Sequence, residues 1–345
     1  MIPIQNIYYM LSYAFQVLNE QGYKNIATEQ FHNTAELMAA ILEKGIAIQL
    51  KRGLGKEYIP QTEALSSLRG KIDIAESIKT QSMLRKQLIC TYDELSVNSI
   101  MNQIIKSTVE LLLRSNISKQ RKKNLRKLMV YFSEVDFIDS YTVNWNVQYN
   151  RNNQTYRMLI SICYLVVKGL LQTQSNGHTK LMDFLDEQRM CRLYEKFILE
   201  YYRKEFKNQI TANASQIPWQ LDNEENSMLP VMQSDIMLQS GEKVLIIDAK
   251  YYEHSTQVQF DKHTLHSGNL YQIFTYVKNK EYELREKNHT VSGMLLYAKT
   301  DEEIYPNNVY QMSGNQIAVR TLDLNLPFDE IASQLNTIAK THFDL

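Results

Sequence analysis

At 345 residues and 40.4 kDa, the chain is too long for one ordinary core and is read as two domains. Hydrophobic residues make up 44% and charged residues 22%, and 22 Tyr with 11 Phe exclude a disordered chain. The 38 basic and 38 acidic residues cancel, which excludes a globally basic nucleic-acid binder but leaves a local basic groove open.

Cys90, Cys163 and Cys191 are odd in number and far apart, so neither a disulfide framework nor a Cys-based zinc site is expected. A reducing, cytoplasmic setting follows. The opening MIPIQNIYYMLSYAF lacks the basic start of a signal peptide. The most apolar later stretch, Met158 to Leu171, is shorter than the roughly 20 residues of a bilayer span and contains Lys168, so no membrane contact is expected.

Residues 7–19 and 34–50 carry apolar side chains on a 3.6-residue period and predict helices. EYIPQ, RGKIDIAES and QLICTYDEL, between 57 and 95, predict strands with turns at Pro60 and Gly70. A helix over 98–115 precedes the one dense basic run, SKQRKKNLRK at 118–127. That run is either a solvated helix face or a surface for phosphates or an acidic partner. A helix over 154–173 ends in the polar QTQSNGH, which places the domain boundary there and gives domains 1–178 and 179–345.

Beyond it the spacing predicts a helix at 186–206 and strands at 214–219, 230–238 and 243–251. A helix at 267–280, strands at 291–298, 307–312 and 316–322, and a helix at 328–341 follow. The fold class is α+β or α/β: a helical amino-terminal domain with short strands, then a domain with a central mixed sheet flanked by helices.

Val244 to Ile247 is an unbroken apolar run, the mark of a strand covered on both faces, and it ends in Asp248-Ala249-Lys250. Strand geometry points Asp248 and Lys250 to one face. If Gly241 and Glu242 form a two-residue loop, Gln239 pairs with Val244 and the ladder sets Asp235 opposite Asp248. Two carboxylates then repel each other, and Lys250 neutralises only one. A divalent cation resolves the conflict, and hard oxygen ligands suit Mg²⁺ or Mn²⁺. Lys250 would orient a bound water or help deprotonate it, a plan for cutting a phosphodiester.

Alone, Asp-x-Lys is a surface ion pair in many proteins. Here the preceding helix adds Glu195 and Glu200, and the following one adds Gln272 and Tyr276, one turn apart and on one face. Asp235, twelve residues, Asp248-x-Lys250, then Gln272-x-x-x-Tyr276 is similar to the PD-(D/E)xK nucleases, particularly the RecB-like group. Ser234 stands where that name has Pro, a position that contributes no ligand.

Over nearly its whole length the chain resembles the McrC family, the nuclease subunits of McrBC modification-dependent restriction systems. The resemblance is carried by Ile2-Pro3-Ile4-Gln5-Asn6-Ile7-Tyr8-Tyr9-Met10-Leu11, Arg69-Gly70-Lys71-Ile72 and Asn102 to Thr108. The second half adds Leu193-Tyr194-Glu195-Lys196-Phe197, Ser234-Asp235-Ile236, Leu245 to Tyr252 and Asn269-Leu270-Tyr271-Gln272. It implies a restriction-endonuclease-like carboxy-terminal domain with Asp235, Asp248 and Lys250 as the catalytic set. Gln272 and Glu200 assist, and Asp235, Asp248 and Glu200 hold the metal, with Glu200 preferred to Glu195. It also implies a partner, a hexameric McrB-like AAA+ GTPase that binds GTP and finds 5-methylcytosine in double-stranded DNA. The amino-terminal half would dock on that ring and stimulate GTP hydrolysis. Gly53-Leu54-Gly55-Lys56 lacks P-loop spacing, which agrees with GTP being bound by the partner and not by this chain. A regulatory subunit without cleavage and an autonomous repair nuclease are the competing readings. Tyr8, Tyr9, Tyr13 and Phe15 are read as helical core rather than partner contacts.

Overall fold

The computed structural model describes residues 2–19, 23, 26, 29, 31–139, 142–150, 153, 155–175, 187–222, 228–252, 257–259, 262–299 and 305–345. It divides into two units, Met1–Ala27 with Leu185–Leu345, and Thr28–Phe184. The expected domains, 1–178 and 179–345, therefore need correction at the amino terminus, whose first 27 residues cluster with the carboxy-terminal unit.

The reason lies in helix α1 (Ile4–Ala14). The Asn6 side-chain amide donates to the carbonyls of Leu324 and Leu326, at 2.8 Å each. Tyr9 stacks on Phe328 at 4.4 Å, Tyr13 packs against Phe197 and Tyr201, and the Tyr13 hydroxyl donates to Glu205 Oε1 at 2.8 Å. Tyr8 and Tyr13 are buried, as the core reading requires.

The Thr28–Phe184 unit holds α2 (Thr34–Arg52), β1 (Glu57–Leu65), β2 (Lys71–Asp73), α3 (Ile74–Lys79), β3 (Leu88–Ser96), α4 (Ile100–Arg114), α5 (Lys119–Met129) and α6 (Tyr156–Ser175). Asn33, Ser99 and Ser118 cap α2, α4 and α5, each accepting a backbone N–H of the first turn. The apolar faces of α2, α4 and α6 pack together through Leu37, Ile41, Ile104, Val109 and Ile162. Asn102 clips the connection into this bundle: its amide donates to the carbonyls of Gly55 and Val97, and its Oδ1 accepts from the Tyr156 hydroxyl at 2.8 Å.

The three strands form an antiparallel sheet in the order β1-β3-β2, with Pro60 on an edge strand where a missing N–H is tolerated. Gly70, at φ +69°, has no substitute, since a Cβ there would meet the Thr91 carbonyl oxygen at 2.3 Å. The segment RGKIDIAES is a strand only over Lys71–Asp73. The Asp73 carboxylate then accepts the Glu76 N–H at 2.9 Å and starts α3.

The other unit continues with α7 (Glu187–Glu205), β4 (Thr211–Asn213), β5 (Gln216–Ile217), β6 (Met232–Gln233), β7 (Ile236–Ser240), β8 (Lys243–Lys250), β9 (Gln257–Gln259) and β10 (Lys262–Thr264). It closes with α8 (Ser267–Glu283), β11 (Thr290–Ala298), β12 (Asn308–Met312), β13 (Asn315–Leu322) and α9 (Phe328–Phe343). Among the described residues, a six-stranded mixed sheet runs β12-β13-β11-β8-β7-β4. β11 is parallel to both β8 and β13, and the remaining pairs are antiparallel. The pairs β5-β6 and β9-β10 stand apart from it, so the strands expected at 214–219 and 230–238 are shorter than their sequence pattern. β8 and β11 are buried along nearly their whole length, as strands with helices on both faces must be.

One face of this sheet receives α8, where Val244, Ile246, Val291 and Leu295 meet Ile273 and Val277. Gly293 sets how close the helix comes: a Cβ there would lie 2.8 Å from Ile273 Cγ1 and 2.9 Å from Val277 Cγ2. No helix among the described residues is long and apolar enough to cross a membrane.

Candidate active site

The hairpin β7-β8 turns through Gly241 and Glu242, with Gly241 at φ +56°, the conformation that favours glycine. Its register pairs Gln239 with Val244 and Ile236 with Ile247, so one further step brings Asp235 opposite Asp248. There the ladder ends, and a side chain takes over from the backbone: the Ala249 N–H donates to Asp235 Oδ2 at 2.9 Å.

Asp248 and Lys250 share the α8 face. Asp248 is 1% exposed, and Lys250 Nζ lies 2.9 Å from its Oδ2. The ammonium answers Oδ2, and Asp248 Oδ1 is left buried without a hydrogen-bond partner. A carboxylate so placed costs several kcal/mol relative to water unless something else satisfies it. Lys250 Nζ also donates to Gln272 Oε1 at 3.3 Å, and Gln272 Nε2 donates to the Tyr276 hydroxyl at 3.0 Å. The one-turn spacing of Gln272 and Tyr276 on α8 thus builds a relay that fixes the amide and holds the ammonium.

The electrostatics follow from this crowding. Burial, with the neighbouring charges of Asp248 and Glu195, pushes Asp235 from 3.8 up to about 8. Burial alone would pull Lys250 down, but the Asp248 carboxylate outweighs it and the ammonium is held above its ordinary range.

Glu200, expected as a metal ligand, is not brought here. Its Oε1 accepts from Arg203 Nη1 at 2.7 Å and its Oε2 from Gln16 Nε2 at 3.4 Å. Glu195 is the acid of α7 that faces the site. It is half-buried, which raises its pKa, and its charge is felt by Asp235. Its Oε1 accepts from Cys191 Sγ at 3.1 Å. Positions 195 and 200 are about 140° apart around a helix, so only one of them can point at the hairpin.

Among the described residues, no three His, Cys, Asp or Glu side chains form a closed metal cage. Two neighbouring carboxylates, one with its Oδ1 buried and unpartnered, fit a hard cation that keeps part of its water shell, as Mg²⁺ does. Of the histidines that follow β8, His254 lies outside the described residues and His266 is at the N-terminus of α8.

The model of the McrBC 5-methylcytosine restriction system component family matches residues 5–298. The chain belongs to that family. It is 30% identical over 343 residues to the type IV methyl-directed restriction enzyme EcoKMcrBC of Escherichia coli K12, with 97% of this chain and 96% of that protein covered. Among solved structures it is similar to a half-complex from a tetradecameric assembly of Thermococcus gammatolerans McrB AAA+ hexamers with bound McrC. There the identity is 17% and the TM-score 0.49, over 97% of this chain and 76% of that one. For the cryo-EM structure of the Thermococcus gammatolerans McrBC complex the values are 20% and 0.42, over 59% of each chain.

Within this McrBC-family chain, sequence reasoning missed a polar layer beside the site. Asn269 Nδ2 donates to the Tyr297 hydroxyl at 2.9 Å, and the Tyr252 hydroxyl donates to Asn269 Oδ1 at 3.3 Å. Tyr297 pairs in register with Lys250 on the adjacent parallel strand, so this layer braces the end of β8. The signal was present, because Asn269 lies three residues before Gln272 and shares its side of α8. The two glutamates separate in a cleavage assay. Glu195→Gln is expected to lower DNA cleavage about 10- to 100-fold, because it removes the α7 charge that Asp235 feels. Glu200→Gln should stay within about twofold of the parent.

Proposed function

We propose that this chain is the DNA-cutting subunit of a modification-dependent restriction complex and hydrolyses phosphodiester bonds with Mg²⁺, or Mn²⁺ in its place. The observation that carries the reading is Asp248: a buried carboxylate whose Oδ1 has no partner, whose Oδ2 meets the Lys250 ammonium, and whose charge is felt by Asp235. Asp235 and Asp248 would hold the cation. When bound, it supplies positive charge to a phosphoryl oxygen and lowers the pKa of a water. Lys250, kept cationic by Asp248 and anchored by Gln272 Oε1, orients the attacking water and faces the charge that develops on the phosphate. Gln272 and Tyr276 position Lys250, and Glu195 tunes the field at Asp235.

A relative over almost the whole chain is a methyl-directed restriction enzyme, and a similar structure holds McrC on McrB AAA+ hexamers. With membership of the McrBC family and what the resemblance implies, the partner is taken as an AAA+ GTPase ring that binds GTP, the substrate as double-stranded DNA carrying 5-methylcytosine, and this chain as the stimulator of the ring's GTPase. The neutral net charge fits a subunit that is brought to DNA rather than finding it alone.

The test is a cleavage assay on methylated and unmethylated duplexes, with and without the GTPase, GTP and Mg²⁺. Cutting is expected only with methylated DNA and all three additions present. Cutting by the chain and Mg²⁺ alone would establish an autonomous nuclease instead. GTPase stimulation without cutting under any condition would establish a purely regulatory subunit.

A further inference from the structure

Helix α5 carries six cations, Lys119, Arg121, Lys122, Lys123, Arg126 and Lys127, and no acid. They divide sharply. Arg121 turns inward, 16% exposed, and its guanidinium donates to Glu29 at 2.7 Å, Glu43 at 2.9 Å and Glu36 at 3.4 Å. Leu125, fully buried, shares that side. The other five lie within an arc of about 140° on the opposite face, over about 12 Å of axis. None of the five side chains has a hydrogen bond or ion pair to a described residue.

That stripe works against its own helix. Lys119 with Lys123, Lys122 with Arg126 and Lys123 with Lys127 are like charges four residues apart, each mildly destabilising. Lys119 and Lys122 also sit in the first turn, where the helix dipole disfavours cations. Other helices of this protein pair such charges: Arg114 with Glu110 on α4, Lys278 with Glu281 and Lys280 with Glu283 on α8. A solvated face built only for the fold would intersperse acids in the same way. An unrelieved row of cations is matched by a row of anions at comparable spacing.

We infer that the outer face of α5 is a docking surface for the phosphate backbone of double-stranded DNA. It is independent of base sequence and separate in the chain from the cutting residues. The inference rests on the reading that the chain acts on DNA, and it adds a second place where that DNA is held.

The experiment uses the full-length chain, a short unmethylated duplex, EDTA in place of metal, and fluorescence anisotropy across a salt series. The variant combines Lys119→Gln, Lys123→Gln, Arg126→Gln and Lys127→Gln and leaves Arg121 in place, with circular dichroism to confirm folding. Every phosphate that the helix no longer neutralises should flatten the plot of log affinity against log salt by about 0.9, so a slope shallower by about 2–4 is expected. Affinity at low salt should fall at least about tenfold, since four charges are removed. Arg114→Gln, which removes an exposed cation already paired with Glu110 on α4, should leave the slope unchanged when tested alongside. An unaltered slope in the four-fold variant would overturn the proposal, as would a parent chain that does not bind at low salt. Loss of GTPase stimulation with the slope intact would also overturn it and assign the stripe to an acidic protein surface. No metal and no turnover enter the salt slope, so its failure leaves the cutting site untouched.

Discussion

Asp248→Asn is expected to lower DNA cleavage by at least about 10³-fold while the chain still stimulates its partner's GTPase, roughly 4 kcal/mol of transition-state stabilisation at 1.4 kcal/mol per decade. The side chain is buried and its one ion-pair partner among the described residues is the Lys250 ammonium, so an amide of the same shape removes charge and little else. What it does disturb is Lys250, which loses its anion but keeps Gln272 Oε1. Cleavage should therefore vanish without unfolding, as read by gel assay beside a thermal melt. Loss of GTPase stimulation in a normally folded variant would show that cutting and stimulation are not separable.

Asp235→Asn should make the metal-free protein more stable at neutral pH, against the usual direction for a substitution at a buried polar site. In the unfolded chain this carboxyl titrates near 3.8, and in the folded chain near 8, because burial and the Asp248 charge disfavour its anion. Between those values the folded form binds more protons. Its contribution is complete below about pH 4 and is lost progressively as pH rises toward 8. Asparagine does not titrate, and its Oδ1 can still accept the Ala249 N–H. Chemical denaturation in EDTA should show the variant gaining about 1–3 kcal/mol at pH 8 and little at pH 5. Mg²⁺ should reverse the order, raising the melting temperature of the parent and leaving the variant where it was.

Much of this site was legible in the residues because its geometry is local. A glycine at the right place in a hairpin fixes the register, the register fixes which carboxylates face each other, and strand alternation puts Lys250 beside Asp248. The spacing of Gln272 and Tyr276 declared a shared helix face in the same way. Glu195 and Glu200 could not be separated so easily. Helix α7 buries Leu193, Tyr194, Phe197, Ile198, Leu199, Tyr201 and Tyr202, which leaves no single apolar stripe to tell which acid looks inward. The segment IDIAES alternates like a strand, yet Asp73 and Glu76 form the start signal of a helix, which outweighed the alternation. The placement of α1 had no local signal at all, since the residues its side chains hydrogen-bond lie 192 to 320 residues away.

That placement bears on how the gene can be cut. Unit Thr28–Phe184 is an insertion within a discontinuous partner whose two pieces are separated by the whole of it. A fragment started at the apparent boundary near residue 179 would keep every candidate site residue. It would forfeit the tyrosines that shield Phe197, Tyr201 and Phe328, exposing an oily seam where the native protein has none. The opening residues are a plank of the unit that holds the candidate site, not a handle attached to something else.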